Sequence, residues 1–254
     1  MHYLRARQEV TESFLLIAGK CDALVMKAIL FGATGMVGQA VLRECLNDSA
    51  VEAVLAVGRS STEVQHLKLR EVLHPDLLRF QSIESQLAGY DACFFCLGVS
   101  SLGMKPEEYE RITYGIALAA GQTLVRLNPQ MTFIYVSGAG TDSSEKARVR
   151  WARVKGRTEN GLLRLGFKAA YMFRPGFIQP LHGIRARNAG TRVFYTISRP
   201  IWPLLRAVVP NLVLTSEELG RAMVAAARTG APKAVLEVRD IRGLLEAKRD
   251  AAHL

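Results

Sequence analysis

A glycine-rich segment near the start of the chain has the residue types and spacing of a phosphate-binding turn. Gly32, Gly35 and Gly38 follow an apolar run at 28–31 and precede a stretch with helical periodicity. Glycine permits a tight turn and a close backbone approach to a diphosphate, which the free N–H groups of the next helix then bind. The segment therefore predicts a dinucleotide-binding turn, with contacts from Gly32, Thr34, Gly35, Met36, Val37 and Gly38.

The residues after the second apolar run, 54–57, bear on which nicotinamide dinucleotide binds. Proteins that bind NAD usually place a carboxylate there, which accepts hydrogen bonds from the ribose hydroxyls. This chain has Gly58, Arg59 and Ser60 instead. Because a guanidinium pairs well with a phosphate and a serine hydroxyl adds a donor, Arg59 and Ser60 predict NADP, with NAD less favoured. A solvated surface arginine is the structural alternative.

The strands and helices that would position these residues are predicted from an alternation of apolar runs and stretches with helical periodicity. Further apolar runs lie at 92–97, 131–136 and 169–173, and helices are predicted at 37–46, 106–127 and 146–165, whereas 60–87 gives no clear element. Near-continuous apolar strands joined by helices indicate a parallel sheet covered on both faces. The sequence therefore predicts an α/β, Rossmann-like doubly wound fold that binds ligands beyond the carboxyl ends of its strands.

The domain organisation follows from the absence of repeats and of linkers rich in glycine, serine or proline. We predict a single NAD(P)-binding domain over residues 26–254, with a substrate-side segment at about 177–215. Because the strand pattern starts at Met26, residues 1–25 are expected to be a loosely attached extension, or the product of a start codon assigned too early. No run approaches the roughly 18 apolar residues of a membrane-spanning helix.

The four cysteines do not form the dense pattern of a disulfide scaffold. Cys93 and Cys96 have C-x-x-C spacing, but they lie in a predicted buried strand, where residues three apart point to opposite faces. We interpret them as small core residues and not as a metal or redox pair, which implies a reducing, cytoplasmic setting. The five histidines show no metal-binding spacing either, so no metal site is predicted.

Four segments, at 32–38, 96–98, 135–140 and 174–176, together resemble the short-chain dehydrogenase/reductase superfamily. The resemblance runs from Met26 to about Gly230 and is to its atypical NAD(P)-binding members, near the epimerase/dehydratase-like and Tat-interacting oxidoreductase-like groups. It implies a Rossmann domain in which Leu97, Gly98 and Pro175 contact the cofactor. The segments are specific for the superfamily but fix no substrate.

The resemblance also implies a catalytic set, and this chain departs from it at one position. Active members have a serine at the end of the fifth strand, then a Tyr-x-x-x-Lys pair on the next helix. The lysine binds ribose and lowers the tyrosine pKa, the tyrosine moves a proton, and the serine orients the substrate oxygen. Ser137 and Lys155 match, but Trp151 stands in the tyrosine position.

The tryptophan leaves three interpretations open, because an indole N–H donates a hydrogen bond but does not titrate near neutral pH. In the first, Tyr114, Tyr171 or a water supplies the proton in place of the missing tyrosine. In the second, the hydride transfer needs little general acid catalysis. In the third, the protein binds NADP without turnover. Losing general acid catalysis typically costs about 10²–10⁴-fold in rate, so a slow enzyme is compatible with Trp151. Trp151 is also expected to line the pocket. Arg174, at the end of the sixth strand, either binds an anion or pairs with a carboxylate.

The net charge of +10 is unevenly distributed. Residues 1–138 hold 12 basic and 14 acidic residues, whereas 139–254 hold 21 and 9. Aromatic and aliphatic residues between Phe194 and Val209 alternate with arginines, as at the surface of an anionic membrane. A helix pair that covers the substrate explains the same pattern and is favoured. Nucleic acid is disfavoured as a partner, because no recognition motif accompanies the charge.

Three functions therefore remain at this point. The first is an oxidoreductase that uses NADP on an unidentified carbonyl or hydroxyl compound. The others are a non-catalytic NADP-binding regulator, whose basic face contacts an acidic protein, and a peripheral membrane-associated protein. The expected location is the cytoplasm, with the membrane surface as a further possibility.

Overall fold

The structure is a computed structural model that describes residues 25–183 and 212–251, with side-chain surroundings to residue 246. Its strands are β1 (Met26–Phe31), β2 (Val51–Gly58), β3 (Leu69–Leu73), β4 (Ala92–Phe95), β5 (Thr132–Val136), β6 (Ala169–Arg174), β7 (Phe177–Gln179), β8 (Val213–Thr215) and β9 (Val235–Glu237). Its α-helices are α1 (Met36–Asn47), α2 (Glu84–Leu87), α3 (Pro106–Glu110), α4 (Ile116–Leu127), α5 (Arg150–Leu163), α6 (Ser216–Thr229) and α7 (Val238–Ala251). A 3₁₀ turn at Gln81–Ile83 precedes α2, and a π-helical turn at Arg111–Gly115 joins α3 to α4.

Seven of these strands form one parallel sheet in the order β3-β2-β1-β4-β5-β6-β9. The chain reverses its direction across the sheet between β1 and β4, which is where open α/β sheets bind ligands. Strands β7 and β8 pair with each other in a separate two-stranded parallel sheet. The predicted Rossmann-like fold is confirmed.

Helices cover both faces of the large sheet because successive strand residues alternate between them. On β1, Ala28 and Leu30 belong to a core cluster with residues of α1, α6 and α7. Ile29 and Phe31 belong to a second cluster with residues of α2, α4 and α5. All four side chains are fully buried, so β1 has no solvent-exposed face over this stretch.

Two elements differ from the sequence-based prediction. Strand β3 lies within 60–87, where no clear element was predicted, and forms the edge of the sheet beside β2. Helix α5 begins at Arg150 and not at 146. The Asp142 carboxylate accepts hydrogen bonds from Ser144 and from the N–H groups of Lys146 and Ala147, so this segment forms a side-chain-stabilised turn in place of a helical one.

The described residues contain no helix that is long and apolar enough to cross a membrane. Three predicted segments lie wholly or partly outside them: all but the last residue of the extension at 1–25, residues 184–211 of the substrate-side segment, and, within these, the basic, aromatic stretch between Phe194 and Val209.

Candidate functional site

A cavity of about 790 Å³ lies at the carboxyl ends of β1, β4, β5 and β6. This is the edge of the sheet at which the sequence predicted ligand binding. The loops that follow these strands contribute to it, together with the start of α1, part of α5 and strand β7. The described lining residues are Gly35, Met36, Val37, Cys96, Gly98, Val99, Val136, Ser137, Gly138, Ala139, Gly140, Trp151, Lys155, Pro175, Gly176, Phe177, Ile178 and Leu212.

The glycine turn after β1 is packed so closely that side chains are excluded from it. Gly32 has a φ of +79°, and a Cβ there would lie 2.7 Å from the backbone nitrogen of Leu97. A Cβ on Gly38 would lie 2.0 Å from the carbonyl oxygen of Gly32. Helix α1 has Gly35 as its N-cap and no side-chain cap, so the N–H groups of its first turn remain available to a phosphate.

Arg59 and Ser60 lie at the same edge of the sheet, beside that turn. The β1–β2 register pairs Phe31 with Val57, so Arg59 follows this pair by two residues. Arg59 is exposed and lies outside the lining of the 790 Å³ cavity. Glu71 on β3 is a carboxylate that hydrogen-bonds the residues just after Ser60. It accepts hydrogen bonds from the Ser61 hydroxyl and the Thr62 N–H, each at 2.7 Å, so it is already engaged within the protein.

The three residues predicted to be catalytic all line the cavity. The Lys155 ammonium donates a hydrogen bond to the Ser137 carbonyl oxygen at 3.1 Å. The Ser137 hydroxyl lies 3.0 Å from that of Thr141, which itself donates to the Gly138 carbonyl at 2.7 Å. Because Thr141 uses its only proton there, the Ser137 hydroxyl donates to Thr141. Trp151, one helical turn before Lys155, forms part of the wall.

Lys155 is the titratable cation of this cavity. The residue as a whole keeps some exposure, but protein atoms surround its ammonium group, and this burial lowers the pKa of Lys155 to about 8 against the opposing effect of Glu159. The ammonium also lies 5.6 Å from the centre of the Tyr135 ring. Lys155 therefore loses its proton at a lower pH than an exposed lysine does.

None of the five tyrosines in the described part of the chain lines the cavity. The Arg157 guanidinium carbon lies 4.2 Å from the centre of the Tyr114 ring. Tyr171 packs against the core cluster of α1, α6 and α7. Tyr135 and Tyr109 are buried, and burial raises the pKa of both phenols. The structure thus places neither Tyr114 nor Tyr171 where it would donate a proton to a ligand in the cavity.

Arg174 pairs with a carboxylate, which was one of its two predicted roles. Its guanidinium donates to both oxygens of the fully buried Glu159, at 3.0 and 2.5 Å, and also to Glu237 and Ser143. Glu159 lies one helical turn after Lys155, so the ion pair joins α5 to the end of β6. Sequence reasoning missed Glu159 and Thr141, because only the tertiary fold brings them to this site.

Cys93 is buried and Cys96 is half-buried, and the two pack on opposite sides of the sheet, as their spacing predicted. Cys93 belongs to the core cluster of α2, α4 and α5, while Cys96 packs against the other cluster. Burial raises the pKa of both thiols. No group of three or more residues able to hold a metal ion occurs in ranges 25–183 and 212–251.

A family model described as NAD(P)H-binding matches residues 32–163, just over half of the chain. The chain belongs to this family. The matched region runs from the glycine turn through α5 and so includes Ser137, Trp151 and Lys155. The resemblance to the short-chain dehydrogenase/reductase superfamily is confirmed, with NAD or NADP as the cofactor of the family.

Curated relatives overturn the predicted location. The mitochondrial protein FMP52-2 of Scheffersomyces stipitis is 29% identical over 154 residues, which are 59% of this chain and 66% of that protein. The mitochondrial protein fmp52-2 of Aspergillus terreus is 26% identical over 207 residues, 79% and 86% of the two chains. Because these relatives are named as mitochondrial, the prediction of a cytoplasmic protein, drawn from reduced cysteines, is wrong.

Solved structures share the fold at low sequence identity. The Bordetella bronchiseptica enzyme WbmF, in complex with NAD⁺, aligns with a TM-score of 0.62 and 13% identity over 88% of this chain and 78% of its own. Uronate dehydrogenase from Agrobacterium tumefaciens aligns with a TM-score of 0.56 and 18% identity, over 83% and 75%. The likeness at these identities concerns the Rossmann fold and not the substrate.

Proposed function

We propose that the protein is an oxidoreductase that prefers NADP and acts on a carbonyl compound or the corresponding alcohol. The observation that carries this proposal is that the glycine turn, Ser137 and Lys155 meet at one cavity. The turn fits a dinucleotide, because glycines at 32 and 38 let its backbone pack closely enough to present the uncapped N–H groups at the start of α1 to a diphosphate. The NAD⁺ complex of WbmF, which has the same fold, supports the same assignment.

The bound cofactor supplies or accepts a hydride, and the chain's own groups bind and orient. The N–H groups at the start of α1 bind the diphosphate, assisted by the backbone of Gly32, Thr34 and Gly35. Leu97 and Gly98 after β4, with Pro175 after β6, border the path of the cofactor. Lys155 holds the ribose hydroxyls, and the Ser137 hydroxyl, which in the free protein donates to Thr141, turns its proton to the substrate oxygen and orients it.

The preference for NADP rests on Arg59 and predicts a change of cofactor selectivity. Arg59→Ala is expected to weaken NADPH binding about 10- to 100-fold, because charge-assisted hydrogen bonds contribute roughly 1.5–3 kcal/mol. NADH has no 2′-phosphate, so its affinity should stay within about threefold of the wild type. Isothermal titration calorimetry with both cofactors measures the two dissociation constants.

Arg70→Ala is the matched control for Arg59→Ala. Arg70 is also exposed and arginine, but it lies at the amino end of β3 and hydrogen-bonds Gln86. Its replacement should leave both affinities unchanged. Equal losses of NADPH and NADH affinity in Arg59→Ala would contradict the NADP preference, and no binding of either cofactor by the wild type would contradict the proposed function.

Cofactor affinity should also depend on pH through Lys155. The ammonium loses its proton as the pH rises through about 8, so wild-type affinity for NADPH is expected to fall several-fold between pH 7 and pH 9.5. Lys155→Met should bind more weakly at pH 7 and show a flatter profile. Lys168→Met, an exposed lysine before β6 at the opposite edge of the sheet, should keep the wild-type profile. A wild-type profile that is flat would exclude Lys155 as a cofactor ligand.

A further inference from the structure

We propose that the substrate is a quinone, which binds against Trp151 in the cavity and is reduced to the hydroquinone. This proposal rests on the proposed oxidoreductase function and names its substrate class. Two independent observations support it: the apolar lining of the cavity, and the absence of a phenol among the described residues that line it.

The lining favours an apolar acceptor. Ser137 and Lys155 are the described lining residues with strongly polar side chains, whereas most others are aliphatic or aromatic. Phe177 and Leu212 belong to the lining and are 50% and 44% exposed, so apolar surface continues to the rim of the cavity. A sugar placed against these side chains would leave hydroxyls without partners, which disfavours its binding. A flat aromatic ring can stack against the partly buried Trp151 indole.

The position of Trp151 bears on the product of hydride transfer. A simple ketone becomes an alkoxide, whose conjugate acid is about as weak an acid as water and far weaker than a phenol. Such a product must receive a proton during the reaction; an indole does not supply one, and the Lys155 ammonium is engaged with the Ser137 carbonyl and, in the proposed function, with the ribose hydroxyls. A quinone becomes a hydroquinone monoanion, which is a phenolate, and phenols have a pKa of about 10. This anion is stable enough to form first and to be protonated afterwards.

The reaction balances with the reduced nicotinamide cofactor and one proton from water. One C–H bond of the cofactor breaks, its hydride forms an O–H bond on the quinone, and the other quinone oxygen takes the negative charge. Water then protonates that oxygen. Lys155, held by the Ser137 carbonyl, stabilises the negative charge as a preorganised cation. Ser137 lies next to it on the same wall.

The acceptor test compares two compounds with the same ring system. 2,3-Dimethyl-1,4-naphthoquinone is the quinone, since its methyl groups block addition of the Cys96 thiol that lines the cavity. 2-Acetylnaphthalene is the ketone, whose reduction gives an alkoxide. With NADPH, the wild type should reduce the quinone with at least 100-fold higher kcat/KM than the ketone, after subtraction of the reaction without protein. Equal values for the two compounds would overturn the proposal.

Variants at position 151 separate acid catalysis from packing. Trp151→Tyr adds a phenol four residues before Lys155 and should raise the ketone-to-quinone ratio of kcat/KM at least tenfold. Trp151→Phe keeps a ring without an acid and should not raise this ratio. Tyr195 lies outside the described residues, so Tyr195→Phe tests whether its phenol supplies the proton. This variant should reduce the quinone at the wild-type rate. Loss of quinone reduction in Tyr195→Phe would overturn the proposal, because a phenol would then supply the proton.

A binding measurement without turnover completes the test. Trp151 and Trp202 are the two tryptophans of the chain, so Trp202→Phe leaves Trp151 as the single indole fluorophore. Titration with the quinone should quench this fluorescence saturably, with competition from the hydroquinone. If NADPH raises the melting temperature but the quinone neither quenches nor reacts, the substrate assignment fails while cofactor binding stands. If NADPH gives no shift, the proposed function itself fails.

Discussion

Gly38→Ala is expected to abolish measurable binding of NADPH and NADH. The new Cβ would lie 2.0 Å from the carbonyl oxygen and 2.6 Å from the carbonyl carbon of Gly32, and 2.9 Å from the Cα of Ala33. All three are backbone atoms of the turn, so no side-chain rotation can relieve the clash. The turn backbone has little freedom to adjust, because Gly32 is already held at a φ of +79°. Helix α1 must shift instead, which separates its N–H groups from the diphosphate position.

The expected effect on affinity is more than 100-fold, accompanied by about 1–3 kcal/mol of lost stability from overpacking. Calorimetric titration and thermal unfolding measure the two effects separately. The matched control is Gly243→Ala in α7, where a Cβ would meet no heavy atom within 4 Å. Alanine is the better helix former by about 0.5–1 kcal/mol, so this variant should be as stable as the wild type or more so and bind both cofactors normally. Near-normal NADPH affinity in Gly38→Ala would contradict the assigned turn.

The parts of the fold that could be predicted from sequence are those with a strong local signal. From Ala28 to Phe31, strand β1 is a continuous apolar run because both of its faces are buried there, and Gly32 after it has the positive φ that favours glycine. The same reasoning placed β4, β5 and β6. Once the sheet was known to be parallel, the carboxyl ends had to share one edge, so the joint location of Ser137 and the glycine turn followed from topology.

The parts that could not be predicted depend on contacts between distant residues. Strand β3 is an edge strand with a single buried residue, Val72, so its apolar pattern is too weak to recognise. The start of α5 depends on the Asp142 carboxylate, whose four hydrogen bonds compete with helix formation in a segment of ordinary helical propensity. The cavity lining is drawn from several loops, helices and strands that are distant in the chain, so its apolar character appears only when the fold brings them together.

The buried ion pair next to Lys155, between Glu159 and Arg174, could not be predicted from the sequence either. Lys155 and Trp151 could be placed on one helix face from their spacing, but nothing local marks Glu159 as buried or identifies Arg174 as its partner. Charged residues on a basic helix are ordinarily solvated, and Glu159 is the only acid between 146 and 206. Its burial depends on a guanidinium from β6, which is fifteen residues away in the chain. The network that supports the site is therefore a property of the tertiary structure.

Arg174→Met is expected to lower the free energy of unfolding by about 3–5 kcal/mol, because it leaves the Glu159 carboxylate buried without its partner. Arg174 itself is only 8% exposed and Glu159 is fully buried, so water does not easily replace the lost hydrogen bonds. Urea denaturation at pH 7 measures the loss. The double variant Arg174→Met with Glu159→Met should recover most of it, since apolar residues of similar size often replace a buried ion pair without cost.

The exposed pair of Arg126 and Glu84 provides the matched control, because it has the same charges and a short contact of 2.5 Å at side chains 58% and 28% exposed. Arg126→Met should cost no more than about 1 kcal/mol. The difference between the two arginines isolates the effect of burial from that of charge. If Arg174→Met cost no more than Arg126→Met, the pair with Glu159 would not be what holds α5 against β6. The position of Lys155, one turn away, would then depend on packing alone.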